Sequence, residues 1–387
     1  MPEKNTISNS LIQLDSVSIS ELVKKKDFEL TAAQKLIINA PEPRIAIEAS
    51  AAALKTTTLT ERVRHLLKKG HEPSKIAVIT FTRMAASELV TRLGDDNSPE
   101  MFVGTIHSLA GHFLSKNGHG DLLPKICESV EFDRLFELCE EFGLDISSEF
   151  DTVLLDEAQD SPANQLHFIF DMMRPANFCI AFDEKQTIFS FNGANPQLLR
   201  VYLEREEAVF YPLKENFRCG SRILDFARAI IRRDGYIDDS IAARGVEGKV
   251  IGCDWNISLL NDYVKKDGCF GDWAILTRTN KDLALMANIL NRLEIPYITF
   301  KQSEITRAEL VGAMKTNRVK LLTIHSSKGL TFNKVLVYNP VWFGDDAVRI
   351  NYVAATRAKD LLLWCNNAPR KRRTKKNDYE GRCKSWE

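Results

Sequence analysis

The sequence predicts an α/β protein built from two parallel-sheet domains. Three observations carry this. The chain has 387 residues, more than one ordinary core encloses. Short apolar runs such as Thr152-Val153-Leu154-Leu155 pass straight into acids or hydroxyls. Buried parallel strands behave this way where they end at a ligand-facing edge. Through the second half, strand-like and helix-like runs alternate, the pattern of strand–helix–strand units. The predicted division is a tail or helix over 1–27, a first domain over 28–220 with a helical insert at about 108–148, a second domain over 221–368, and a basic tail over 369–387.

Composition narrows the function. Lys plus Arg and Asp plus Glu balance at 52 each, so a nucleic-acid site has to be a local patch. Eight scattered cysteines show no zinc-like or redox-motif spacing and read as reduced residues of a cytoplasmic protein. No apolar run is long enough to span a membrane, and residues 1–20 hold no signal-peptide core.

In chain order, Thr31 is an N-cap that places Gln34 in the first turn of a helix. Ile45 to Ala49 is a strand, and Lys55-Thr56-Thr57 opens the next helix, the layout of a phosphate-binding loop. In such a loop Lys55 reaches the β/γ-phosphates and Thr56 serves Mg²⁺. The loop lacks glycine, however, and alone it reads as an Ala-rich helix start. Lys75 to Thr82 is a buried strand; Val103 to Ser108 is a strand end with hydroxyls and His107. Phe132, Leu135, Phe136 and Cys139 give the insert a helical period. Asp156 and Glu157 end the sharpest strand: the first suits Mg²⁺ and the second suits activation of water, against the plainer reading of a solvated acidic turn. After the strand Phe178–Phe182, Phe189 and Phe191 suit stacking on bases or, more plainly, a core strand. Strand-like runs follow at 249–251, 273–276, 297–300, 320–323, 334–338 and 361–364, with helices at 223–231, 282–293 and 352–359. Arg370 to Lys376 is a dense basic run, a solvated tail or a phosphate contact.

The order of motifs resembles the UvrD/PcrA/Rep class of superfamily 1 DNA helicases. The resemblance rests on Thr31-Ala32-Ala33-Gln34, Thr80-Phe81-Thr82, Gly104 to Ser108, Asp156 to Asp160, Asn216-Phe217-Arg218, Thr323 to Leu330 and Tyr352 to Ala358. It implies two RecA-like domains that sandwich ATP, and translocation 3′→5′ on single-stranded or partly duplex DNA. It also implies roles. Gln34 reads adenine, Phe217 stacks near it, and Lys55, with Thr57 beside it, meets the phosphates. Thr56 and Asp156 hold Mg²⁺, and Glu157 polarises water. Gln186, Arg218 and Arg357 reach the γ-phosphate. Thr82, His107, Phe189, Phe191, Thr323 and His325 line the strand track.

The sequence departs from that class at several places. Ser50, Ala52 and Leu54 stand at three glycine positions of the loop, Thr331 at a glutamate position, and Asn192 at an arginine position. A Cβ at the glycine positions predicts relaxation into a longer helix start or a collapsed turn, with weak ATP binding. Only Lys301 to Arg318 remains where the class carries a large second-domain insertion. This compact form resembles the helicase-like subunit of the Gabija antiphage system, which implies a nuclease partner. Two functions of different classes follow: an ATP-driven DNA translocase, supported by the charged set, and an ATPase-impaired scaffold that binds DNA or a protein, supported by the loop. A phosphate-loop ATPase that ignores nucleic acid fits less well, given the track residues.

Overall fold

A computed structural model describes residues 29–366 apart from 130, 148, 302–304, 342 and 345. The expected first helix over 1–27 and the basic run at 370–376 lie outside the described residues. Strands β1 (Arg44–Ala49), β2 (Ile76–Thr80), β3 (Phe102–Thr105), β4 (Thr152–Asp156), β5 (Asn177–Phe182) and β6 (Val209–Leu213) form one sheet in the order β3-β2-β4-β5-β1-β6. A two-stranded ladder joins β7 (Glu215–Asn216) to β8 (Ile241–Ala242). Strands β9 (Lys249–Asp254), β10 (Trp273–Thr277), β11 (Tyr297–Ile298), β12 (Val319–Thr323), β13 (Phe332–Tyr338) and β14 (Ala358–Asn366) form the second sheet, ordered β11-β12-β10-β13-β14-β9. All the ladders within both six-stranded sheets are parallel. The fold is therefore α/β with two all-parallel sheets, as two RecA-like domains require.

Helices cover both faces of each sheet. They are α1 (Ala32–Asn39), α2 (Lys55–Lys68), α3 (Arg83–Leu93), α4 (Ile106–Lys116), α5 (Leu123–Ser129), α6 (Arg134–Glu141), α7 (Ala163–His167), α8 (Pro196–Arg205), α9 (Ser221–Ile231), α10 (Asn280–Arg292), α11 (Arg307–Lys315) and α12 (Ala347–Ala355). Alternate strand residues supply opposite cores, because side chains alternate across a strand. In β4, Val153 and Leu155 join the helical-insert side, while Leu154 joins the α1–α2 side. In β10, Ala274 and Leu276 face α9 and α12, while Trp273 and Ile275 face α10. The insert, α4 to α6, packs through Phe113 and Phe136 on Phe168.

Two expectations are corrected. The helix predicted over 352–359 spans Ala347–Ala355, and β14 begins at Ala358. Buried small and apolar residues run through both elements, so period alone cannot set the boundary. Phe191 lies in a short turn at Ser190–Asn192 and Phe189 just before it, not in a strand.

The first helix is fixed to the second by one buried cation. Arg62 Nη1 donates to the carbonyls of Ile37, Ile38 and Ala40 at 2.8, 3.1 and 3.1 Å. These carbonyls lie at the C-terminus of α1, where helix ends leave C=O groups short of partners; the Ile37 carbonyl also accepts from the Ala40 amide. Arg62→Ala should cost about 2–4 kcal/mol in urea unfolding. Lys35→Ala, which removes only an exposed pair with Glu29, should cost under about 1 kcal/mol.

Candidate active site

Every strand of the first sheet delivers its C-terminal end to one edge. There β1 runs into the loop Ser50–Leu54, β4 ends at Asp156, and β5 leads to Asp183. Facing that edge are residues from the opposite, N-terminal edge of the second sheet: Gly329 and Thr331 before β13, Arg357 before β14, and Lys359 at its start. The two edges enclose a cleft of about 360 Å³, lined also by Ala52 to Thr57, Arg92, Glu157, Gln186, Phe217 and Arg218. Lys55 and Arg357 thus face one space.

The loop did not relax as expected. The helix begins at Lys55, and Ala52 and Leu54 hold left-handed backbones at φ 58° and 62°. Contacts around the loop account for this. Asn216 Nδ2 donates to the Ala51 carbonyl at 2.8 Å, and the Phe217 amide donates to the Ala52 carbonyl at 3.2 Å. The methyl groups of Ala51 and Ala53 are buried in two different apolar clusters. Each left-handed non-glycine costs on the order of 1–3 kcal/mol, and these contacts offset it. No side chain caps the N-terminus of α2, so the orphan N–H groups of its first turn face the cleft.

Lys55 Nζ lies 3.4 Å from Glu157 Oε1, with the lysine side chain 7% exposed. Burial lowers its pKa, but Glu157, Asp183 and Asp156 outweigh that and hold the ammonium above its ordinary value. Burial and the neighbouring Glu157 push the Asp156 carboxyl up to about 6. Glu157 is also raised by burial, but Lys55 and Lys328 dominate and bring it down to about 2. The pair therefore favours ionised Glu157. Its backbone is left-handed, φ 54°, and its amide donates to Asp156 Oδ1. Gln159 donates to its carboxylate and accepts from the Asp183 amide.

Thr56 Oγ1 donates to Asp156 Oδ2 at 2.5 Å, so two oxygen ligands are already side by side. Among the described residues no trio of His, Cys, Asp or Glu forms a metal group. The donor set fits Mg²⁺, which takes one or two protein oxygens and completes its shell with phosphate and water.

Arg218 and Arg357 lie deep in the cleft on neutral oxygens. Arg218 donates to the Thr356 carbonyl at 2.9 Å; Arg357 donates to Val353, Leu330 and Gln186 Oε1, the last at 3.1 Å. Burial and then repulsion from Arg218 push Arg357 down to about 9, and burial lowers Arg218. Both are still cations at neutral pH. Gln186 is fixed by donating to Asp183 Oδ2 at 2.6 Å.

Other expected residues fall in different places. Gln34 is buried, not solvated: it completes a capping box with Thr31 and donates to Thr58 Oγ1 at 3.2 Å. It does not line the cleft, whereas Phe217 does. Phe189, Phe191 and His325 form one aromatic group, with centroids 5.6–5.9 Å apart, and Phe81 stacks on Phe189. Phe191 is 71% exposed. Burial and then Arg278 keep His325 below its ordinary pKa, hence neutral at pH 7. Thr323 accepts from the Ser326 amide beside this group, and Thr82 caps α3 directly after Phe81. His107 is elsewhere, packed on Phe132 and Phe136 and 3.3 Å from Asp133. Sequence reasoning gave no role to Arg92, Lys359 or the Lys328–Asp160 pair. The last had a signal, since both residues lie inside quoted motifs.

Comparison with known proteins agrees with this geometry. The UvrD/REP helicase N-terminal domain matches residues 30–127 and 119–205, and the UvrD-like helicase C-terminal domain matches 300–367. Together they span more than half of the chain. DNA helicase II of Salmonella typhimurium is 22% identical over 86% of this chain, which spans 59% of that protein. Gabija protein GajB of Bacillus cereus is 22% identical over 82% of this chain and 92% of its own length. A probable DNA helicase of Mycoplasma pneumoniae is 23% identical over 86% of this chain and 82% of its own length. With its two parallel sheets meeting over a phosphate-loop lysine, an Asp-Glu strand end and two arginines, the chain belongs to the UvrD/REP family of superfamily 1 helicases.

Proposed function

We propose that this chain is an ATP-driven, 3′→5′ single-stranded DNA translocase, with its two motor halves divided near residue 220. The observation that carries the reading is the pair of guanidinium groups, buried Arg357 and half-buried Arg218, held on neutral oxygens and facing Lys55 across one cleft. Two like charges this close are unfavourable, and the Glu157 carboxylate still leaves Arg357 below its ordinary pKa. A triphosphate supplies the anion. Its phosphates would lie on the first turn of α2 with Lys55, Thr56 and Thr57, and Phe217 would flank the base. Mg²⁺, when bound by Thr56 and Asp156, would neutralise phosphate oxygens. Glu157, ionised and oriented by Gln159, would take the proton of the attacking water. Arg218, Arg357 and Gln186 would stabilise charge on the transferring group. Gln34 fixes α1 against α2, and its contact with adenine requires release from its capping box.

Phe189, Phe191 and His325 would stack on bases, with Thr82 and Thr323 positioning the backbone. His107 would meet DNA only where the strand crosses the helical insert. Purified chain should hydrolyse ATP, and single-stranded DNA should stimulate it. Glu157→Gln should lower turnover at least about 100-fold. Phe191→Ala should remove much of the DNA stimulation while leaving basal turnover intact. Turnover unaffected by Glu157→Gln would sink the assignment.

A second reading, an ATPase-impaired scaffold, is supported by the left-handed Ala52 and Leu54. Leu54→Gly should raise unfolding stability by about 1 kcal/mol by relieving backbone strain. If it also creates ATP binding that the unaltered chain lacks, the scaffold reading stands and the translocase reading falls.

A protein partner, a nuclease subunit in a defence complex, is part of the proposal. Similarity to Gabija protein GajB over most of both chains supports it, as do exposed apolar side chains such as Ile237 at 86%. In sedimentation of the complex from its native source, the chain should co-migrate with a nuclease. A lone, active monomer there would refute the partner.

A further inference from the structure

Two cysteines with no motif spacing are brought together by the second sheet. Cys253 is the penultimate residue of β9, and Cys365 is the penultimate residue of β14. They are direct partners in the parallel ladder, and their Sγ atoms lie 3.4 Å apart. Strand β9 is the edge of its sheet, and Cys253 is partly exposed while Cys365 is fully buried behind it. Adjacent strands lie about 4.8 Å apart, inside the Cα separation of about 4.4–6.8 Å that a disulfide accepts. The remaining described cysteines are placed differently: Cys127 and Cys269 are exposed, and Cys139, Cys179 and Cys219 are buried in three other apolar clusters.

We propose that Cys253 and Cys365 form an oxidisable dithiol, a modification site whose disulfide ties the edge strand β9 to β14. The oxidant is a low-molecular-weight disulfide. The Cys253 thiolate attacks one of its sulfurs, forming a mixed disulfide and expelling one thiolate. Cys365 then attacks Cys253 Sγ and expels the second thiolate, which takes the Cys365 proton. Two protein thiols and one small disulfide thus give one protein disulfide and two small thiols. The order follows from access, since the solvent-facing sulfur reacts first and the buried one resolves it. The hydrogen bond from Cys365 also lowers the Cys253 thiol below its ordinary value, which raises its thiolate fraction.

The bond would act on stability rather than on the cleft. Cys365 lies at the C-terminal end of β14, and Arg357 precedes its start, about 26 Å away at the usual strand rise. The bridge closes a loop of more than a hundred residues, the kind that constrains an unfolded chain most.

The intact chain incubated with excess glutathione disulfide, alkylated and digested, tests this by mass spectrometry. A cross-linked peptide pair carrying Cys253 and Cys365 is expected. The thermal midpoint should rise by about 3–8 °C and return on adding dithiothreitol. Cys365→Ser should stop at the intermediate, with glutathione retained on Cys253; Cys253→Ser should leave Cys365 unmodified. Glutathione retained on Cys253 in the unaltered chain without a bridge, a bridge between other cysteines, or an unmoved midpoint would overturn the proposal.

Discussion

The structure depends on a buried ion pair that crosses between the two sheets. Lys328, from the turn after β12, donates to both oxygens of Asp160 at 2.6 and 2.7 Å and to the Gln186 carbonyl at 2.8 Å. Its side chain is 10% exposed and that of Asp160 is 2%. A buried pair contributes little net stability, because desolvation consumes most of the attraction; its value is geometric. Three bonds from one ammonium set where the second sheet sits over the first. That placement lets Arg357 reach Gln186, lets Arg218 reach the Thr356 carbonyl, and closes the cleft. It also sets Lys328 5.1 Å from the Phe189 ring, so the cation that joins the sheets touches the aromatic group as well. The residue that joins the sheets beside the cleft is therefore also a neighbour of the aromatic group.

The loop shows how context overrides local preference. Alanine and leucine disfavour a left-handed backbone, and a short peptide of this sequence would avoid it. Here the carbonyls of Ala51 and Ala52 are claimed by Asn216 and Phe217, which belong to the segment leading into the second half. Ala51 itself packs in the cluster that holds α9 and α12. The second half of the molecule thus holds the shape of a loop in the first. A sequence argument confined to residues 50–54 predicts collapse, because the restraining contacts are more than 160 positions away.

What was legible in the sequence followed from burial on both sheet faces. Runs such as Val153-Leu154-Leu155 and Val335-Leu336-Val337 have no polar alternation and end abruptly, and all the expected strands of the second sheet are present. Strand ends carrying Asp156 and Thr80 could be placed at one edge because parallel strands share a direction. Two things were not legible. One was where an apolar helix becomes an apolar strand, as at Ala355–Ala358. The other was which neighbours a side chain takes: Gln34 is held by Thr31 and Thr58, and His107 packs on Phe136 of the helical insert. Both outcomes depend on tertiary neighbours that spacing does not encode.

Charge makes the same point about composition. The chain is neutral overall, with 52 residues of each sign, and that balance gives no overall basic footprint. The fold redistributes it. Lys55, Arg92, Arg218, Arg357 and Lys359 line the cleft against one lining carboxylate, Glu157, with Asp156 just behind. Low-dielectric walls strengthen each of these fields relative to water. A local excess of cations in a concave site raises the concentration of an anionic ligand there whatever the net charge of the molecule. Acidic side chains elsewhere are occupied on the surface, as in the Arg134 pairs with Glu137 and Glu141 or the Lys266–Asp262 pair. Neutrality is thus a sum over two populations: charges that pair on the outside and add little, and cations that converge on the cleft in excess of its carboxylates. The second population defines the chemistry, and it becomes visible only when the two sheet edges meet.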